Sequence, residues 1–170
     1  MRETAPILPV PESIINATLP YLSTIVADMV KLQRLTGARS GEIVQLRALD
    51  IERAGEVWEF RPERHKTEHH DRERVIFFGP QAQVIITKYF GLDLSAPLFR
   101  PDESEAARSA ERRKQRKTPL WPSHLQMQEQ KKKRRSRRLL HEAYDVSTYR
   151  RAITSVLAQS SAKLAQSLLA

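Results

Sequence analysis

The chain has 170 residues, and its 29 Lys and Arg outnumber 20 Asp and Glu, for a formal charge of +9. The absence of cysteine excludes disulfides, thiol nucleophiles and cysteine-based metal sites. No apolar run approaches the ~18 residues of a membrane span, and the opening MRETAPILPVPES offers prolines where a secretory signal has an apolar core.

Residues 1–12 read as extended, because Pro6, Pro9 and Pro11 each disfavour helix at the residue before them. From Pro20 the period becomes helical. Leu22, Ile25, Val26, Met29, Val30 and Gln33 share one face, and Gly37 suits the position just past a helix end. This predicts a helix over roughly 20–35 and a tight turn at Thr36-Gly37. Ser40 is a good N-cap for a second helix running to about Arg47, with Ile43 and Leu46 facing inward. The period then drops to two. Residues 57–61 and 74–78 read as strands, and the polar stretch Glu63 to Arg72 as the hairpin loop between them. Gly79-Pro80 opens a third helix with Ala82, Val84, Ile85, Tyr89 and Phe90 as its apolar positions. A last helix is predicted over 147–169, with Ile153, Val156, Leu157, Leu164 and Leu168 at helical spacing. The expected class is α+β, with helices packed on a small antiparallel sheet.

The charge is concentrated. Arg100 to Ala143 holds fourteen Lys and Arg against six Asp and Glu, so this stretch carries nearly all of the excess. It includes RRKQRK at 112–117 and KKKRRSRR at 131–138. Like-charge blocks of this kind usually stay flexible and touch polyanions. The expectation is a flexible basic segment over 100–143, between a folded region at 13–99 and a C-terminal helical segment at 144–170. Arg112, Arg113 and Lys114 are candidate contacts to DNA phosphate, as are Lys131, Lys132, Lys133, Arg134 and Arg135. A passive solvated linker is the plainer reading. The partner expected from charge is duplex DNA rather than a membrane, in a cytoplasmic protein.

Two short stretches carry candidate chemistry. In LTGARSGEI (35–43), Arg39 stands at a helix start, where free N–H groups favour an anion and a guanidinium can grip phosphate with two parallel hydrogen bonds. Glu42, one turn on, could orient the arginine or cap the helix. Lys66 falls at the tip of the hairpin, where a lysine can swing into a neighbouring site and donate a proton. Each has a plain reading in isolation: a surface arginine beside a capping pattern, and a solvated turn lysine. His65, His69 and His70 share the loop, but with no later partner they make a poor zinc set, and no metal site is expected. No P-loop, GxGxxG or GxSxG occurs, and no cofactor is expected.

The order of parts resembles the catalytic domain of the tyrosine recombinase (phage integrase) family over about residues 20–99. LTGARSGEI with LRALDI resembles that family's first conserved box, and VWEFRPERHKTEHHDRERVIFFGPQA resembles its lysine-bearing hairpin. The resemblance implies strand exchange in DNA through a tyrosine that attacks a phosphodiester, without nucleotide cofactor. It implies Arg39 as a phosphate-clamping arginine, Lys66 as the acid that protonates the departing oxygen, and Glu42 as support. It also implies a His-x-x-Arg-His box and a late tyrosine, and neither is present. Tyr149 and Tyr144 come too early for the nucleophile and read as partly buried. Arg150 and Arg151 suit DNA backbone without replacing the missing arginine. The expectation is therefore a DNA-integration and recombination protein, catalytically incomplete, truncated before the second half of its site. It would self-associate or work with other recombinase chains. The alternative is a basic nucleic-acid-binding accessory protein with no recombinase ancestry.

Overall fold

The computed structural model describes residues 8–62, 74–119, 121–135 and 142–167. It is α+β, as expected. The helices are α1 (Glu12–Thr18), α2 (Thr24–Thr36), α3 (Ser40–Val44), α4 (Pro80–Thr87), α5 (Pro101–Lys114), α6 (Pro122–Arg135) and α7 (Val146–Ser167). The strands are β1 (Ile51–Glu52), β2 (Trp58–Phe60) and β3 (Ile76–Phe78), antiparallel in the order β1-β2-β3. Phe60 faces both Ile51 and Ile76 across the sheet, and Trp58 faces Phe78.

Strand alternation decides which face is buried. Ile76 and Phe78 point inward while Phe77 between them is 56 % exposed. The inner face stacks Phe60 on Phe78 and meets Met29 and Leu32 of α2, Ile43 of α3 and Ile86 of α4 in one core. Leu46 and Leu98 close it from the side. The Leu98 N–H donates to Leu46 O at 2.9 Å and the Leu49 N–H to Leu94 O at 2.9 Å, so the strandless stretch after α4 is laced to the chain between α3 and β1. Inside, the Asp28 carboxylate is only 2 % exposed. It accepts from the Tyr89 hydroxyl at 2.9 Å, Lys88 Nζ at 3.1 Å and Lys31 Nζ at 3.4 Å, which satisfies a charge that would otherwise be costly to bury. Burial, then the bond to Asp28, holds the Tyr89 hydroxyl well above its ordinary pKa.

Several boundaries differ from those expected. The helix placed from Pro20 begins at Thr24; Pro20 sits instead in a 3-10 turn over Leu19–Tyr21, beyond a helix, α1, that the apolar pattern does not reveal. The second helix ends at Val44 rather than near Arg47. Ile51–Glu52 is a strand outside the expected set, since two residues carry no readable period. Val84 is 64 % exposed on α4 rather than part of its inner face, and Tyr89 and Phe90 follow the helix end.

The largest correction concerns the basic segment. The flexible stretch expected over 100–143 contains two helices, α5 and α6. Its charge is arranged for helix rather than against it. In α5, Pro101 starts the first turn, Asp102 and Glu103 occupy its positive end, and Arg112, Arg113 and Lys114 occupy its negative end. Glu105 bridges Arg108 and Arg112 at 3.4 and 3.1 Å. Repulsion among like charges is a weak term beside these local preferences.

Asp145 begins α7. Its carboxylate accepts the Thr148 N–H at 2.6 Å and the Ser147 hydroxyl at 2.8 Å, and these bonds hold its pKa down at about 2, from an ordinary 3.8. A depressed carboxylate stabilises the folded state above its ordinary pKa and loses that effect as pH falls through the depressed one. Asp145→Ala therefore lowers the melting temperature at neutral pH, and the gap to wild type narrows as pH falls from 3.8 towards about 2. Thermal melts followed by circular dichroism across that window check it; a gap independent of pH would mean that the charge plays no part in the cap.

Candidate functional site

The site is built at the end of α2. Gly37 takes the left-handed conformation, φ 64°, and its N–H closes the helix on Gln33 O at 2.9 Å. A side chain at that φ would be strained, so the turn calls for glycine. The Thr36 hydroxyl donates to Leu32 O at 2.7 Å and accepts the Ala38 N–H at 3.2 Å. The Gln33 side chain amide donates to Ala38 O at 3.2 Å, and its carbonyl oxygen accepts the Tyr149 hydroxyl at 2.6 Å. A hydrogen-bonded chain thus runs from α7 through Gln33 to the peptide just before Arg39. Local spacing marks Gln33 only as a face residue; its partner is 116 positions away.

Arg39 follows in an extended conformation and leads into α3. The Glu42 side chain turns back on it. Glu42 Oε2 accepts the Arg39 backbone N–H at 2.7 Å, and Oε1 lies 3.3 Å from Arg39 Nη1. Glu42 thus accepts the N–H at the start of α3 through one oxygen and lies within ion-pair distance of the Arg39 guanidinium through the other. Arg74, just ahead of β3, has only strand periodicity to mark it in the sequence, but it joins the same carboxylate. Its Nε lies 3.3 Å from Oε1, and its Nη2 lies 3.4 Å from Oε2 and 3.4 Å from Gly37 O. The Glu42 side chain is 3 % exposed, whereas those of Arg39 and Arg74 are 47 % and 33 % exposed. One buried carboxylate therefore holds two arginines at the surface, and the cluster keeps one positive charge over.

The hairpin lysine, Lys66, lies outside the described residues, as do His65, His69 and His70. Among the described residues no group of three His, Asp or Glu is placed to hold a metal, and no helix is long and apolar enough to cross a membrane. Tyr149 is 2 % exposed and Tyr144 is 9 % exposed, so both are more deeply buried than the partial burial expected of them. Burial pushes the Tyr149 hydroxyl well above its ordinary pKa, opposite to what a nucleophile needs.

The candidate DNA contacts are apart from this cluster in sequence. Arg112, Arg113 and Lys114 form the exposed last turn of α5, with Arg112 bound to Glu105. Arg112 and Lys114 also line a groove of about 800 Å³ between α5, α7 and the start of α2, together with Ser23, Arg108 and Val156. Lys131, Lys132, Lys133, Arg134 and Arg135 make up the end of α6. Arg150 is exposed on α7 and borders a smaller cleft of about 250 Å³ with Ser40, Gln33 and Tyr149, beside the Arg39 turn. No family model matches this chain, and neither a curated protein nor a solved structure matches it.

Proposed function

We propose that this chain is a DNA-binding protein of the tyrosine recombinase type, active in the cytoplasm on duplex DNA, that carries the phosphate clamp of strand exchange without its nucleophile. The observation that carries the reading is Arg39 braced on buried Glu42 at the Thr36-Gly37-Ala38 turn. Fixed cations aimed at an anion, preset by a buried partner, are what phosphoryl chemistry asks of a site. In the reaction this family performs, Arg39 would neutralise a phosphoryl oxygen and Lys66 would protonate the departing 5′ oxygen. A His-x-x-Arg-His box and a nucleophilic tyrosine are not among these 170 residues, and the expectation for them is binding to DNA that is left intact. No cofactor enters this chemistry. Other recombinase chains, or further copies of this one, are its natural companions.

Binding to a labelled duplex, followed by fluorescence anisotropy over a salt series, tests the reading. Expected is non-specific affinity of ~10⁻⁴–10⁻⁶ M that falls steeply with salt. Replacing the cluster Lys131 to Arg138 by neutral residues lowers the slope of log K against log[salt] by ~0.9 for each phosphate that is no longer neutralised. Arg39→Ala weakens binding further. If the cluster variant abolishes binding and Arg39→Ala changes nothing, the chain is a basic accessory protein and Arg39 an ordinary surface residue.

A further inference from the structure

We infer that Arg74 is a second phosphate ligand, and that Arg39 and Arg74 together seat a single phosphate of the DNA backbone across the Glu42 carboxylate. This rests on the DNA-binding reading above and extends it to a residue that no spacing argument singles out.

Charge balance is the first reason. A buried carboxylate is neutralised by one cation; Glu42 has two, and both Arg39 Nη1 and Arg74 Nε lie 3.3 Å from the same oxygen, Oε1. Two guanidiniums within two hydrogen-bond lengths of one another repel, and one carboxylate offsets only half of their charge. A phosphodiester, with one negative charge, brings the cluster to neutrality.

Donor geometry is the second reason. Arg74 spends its Nε and Nη2 edge on Glu42 and on Gly37 O. Its Nη1 has no partner among the described residues, nor do Nε and Nη2 of Arg39. A guanidinium is planar with five N–H donors, so fixing one edge on Glu42 sets the direction of the rest. Both side chains are at least one-third exposed, whereas the carboxylate between them is buried, so the unspent donors are on the solvent side.

Rigidity is the third reason. Arg39 is held by the Gly37 turn and by its own N–H on Glu42. Arg74 lies two residues ahead of Ile76, which is paired with Phe60 in the sheet. A pair presented from two anchored backbones loses little freedom on binding. Surface ion pairs that only brace a fold do not need this arrangement; one arginine suffices for that.

The experiment compares wild type with Arg74→Gln, Arg74→Lys, Arg39→Gln and the double Arg39→Gln/Arg74→Gln variant, using one labelled duplex over the same salt series, with a thermal melt of each. Arg74→Gln is expected to weaken binding about tenfold or more, the scale of a hydrogen bond to a charged group. Arg74→Lys keeps the charge but not the fork and is expected to fall between. Because the two arginines share one phosphate, the double variant loses less than the product of the single losses, and its salt slope drops by ~0.9 relative to wild type. Binding unchanged in both Arg74 variants, with Arg39→Gln weakened, would overturn the shared seat and leave Arg74 as a brace for Glu42. Fully multiplicative losses with a slope change of ~1.8 would overturn it as well, since the arginines would then hold separate phosphates. A wild-type chain with no salt-dependent binding overturns the DNA reading itself, a result distinct from either.

Discussion

Tyr149→Ala is expected to cost about 3–5 kcal/mol, the scale of removing a buried aromatic ring. That is a large share of the ~5–15 kcal/mol that usually separates folded from unfolded. The ring is 2 % exposed and lies where α7 packs against α2 and α3. Its hydroxyl holds Gln33, which in turn holds the peptide ahead of Arg39. Loss of the ring thus loosens the last helix and the turn that carries Arg39 together. Tyr149→Phe keeps the ring and removes only the hydrogen bond, for about 1–2 kcal/mol. Urea denaturation measures both, and a shift below ~1 kcal/mol in the alanine variant would mean that the ring is not part of the core. The same residue bears on catalysis. A hydroxyl that is buried and bonded to Gln33 is poorly placed to attack phosphorus. A nicked suicide duplex incubated with wild type is expected to show no covalent protein–DNA band on a denaturing gel. A band that disappears in Tyr149→Phe or Tyr144→Phe would make that tyrosine the nucleophile.

Glu42→Ala is expected to destabilise the chain by about 2–3 kcal/mol and to weaken DNA binding at least as much as Arg39→Ala does. Removing one partner of a buried ion pair costs ~3–5 kcal/mol when the other is left buried. Here the stranded partners are partly exposed arginines that water can reach, so the cost falls at or just below the lower end of that range. The carboxylate also accepts the Arg39 N–H, which loses its partner at the start of α3. The effect on binding runs against simple charge counting: deleting an acidic residue makes the surface more positive, yet the arginines lose the group that aims them. Glu42→Gln separates the two effects, since it keeps the size and one acceptor oxygen but removes the charge. Tighter binding in Glu42→Ala would show that net charge, not orientation, governs this surface.

Legibility in the sequence follows the range of the forces involved. The Gly37 stop, the start of α3 at Ser40, the strands β2 and β3 and the Gly79-Pro80 helix start are all readable, because each rests on backbone preferences and periodicities of a few residues. Arg39 with Glu42 is readable for the same reason, since three positions along a helix start bring both side chains to one place. α5 and α6 are the exception among local features. Pro101, the acidic first turn and the basic last turn of α5 signal a helix, but bulk charge outweighs that placement when the stretch is read as a whole.

The remaining features depend on distance in the chain. Arg74 reaches Glu42 across 32 positions, and Tyr149 reaches Gln33 across 116; neither pairing has a local signature. Each comes about because apolar burial docks whole elements, β3 through Ile76 and Phe78 and α7 through Tyr149, and so brings polar groups at their ends within bonding range. The two-residue strand β1 exists only because Ile51 finds Phe60 across the sheet. One carboxylate shared by two arginines is thus a product of packing: sequence could pair Arg39 with Glu42, whereas the surplus positive charge at that place appeared once the sheet had folded Arg74 onto Glu42.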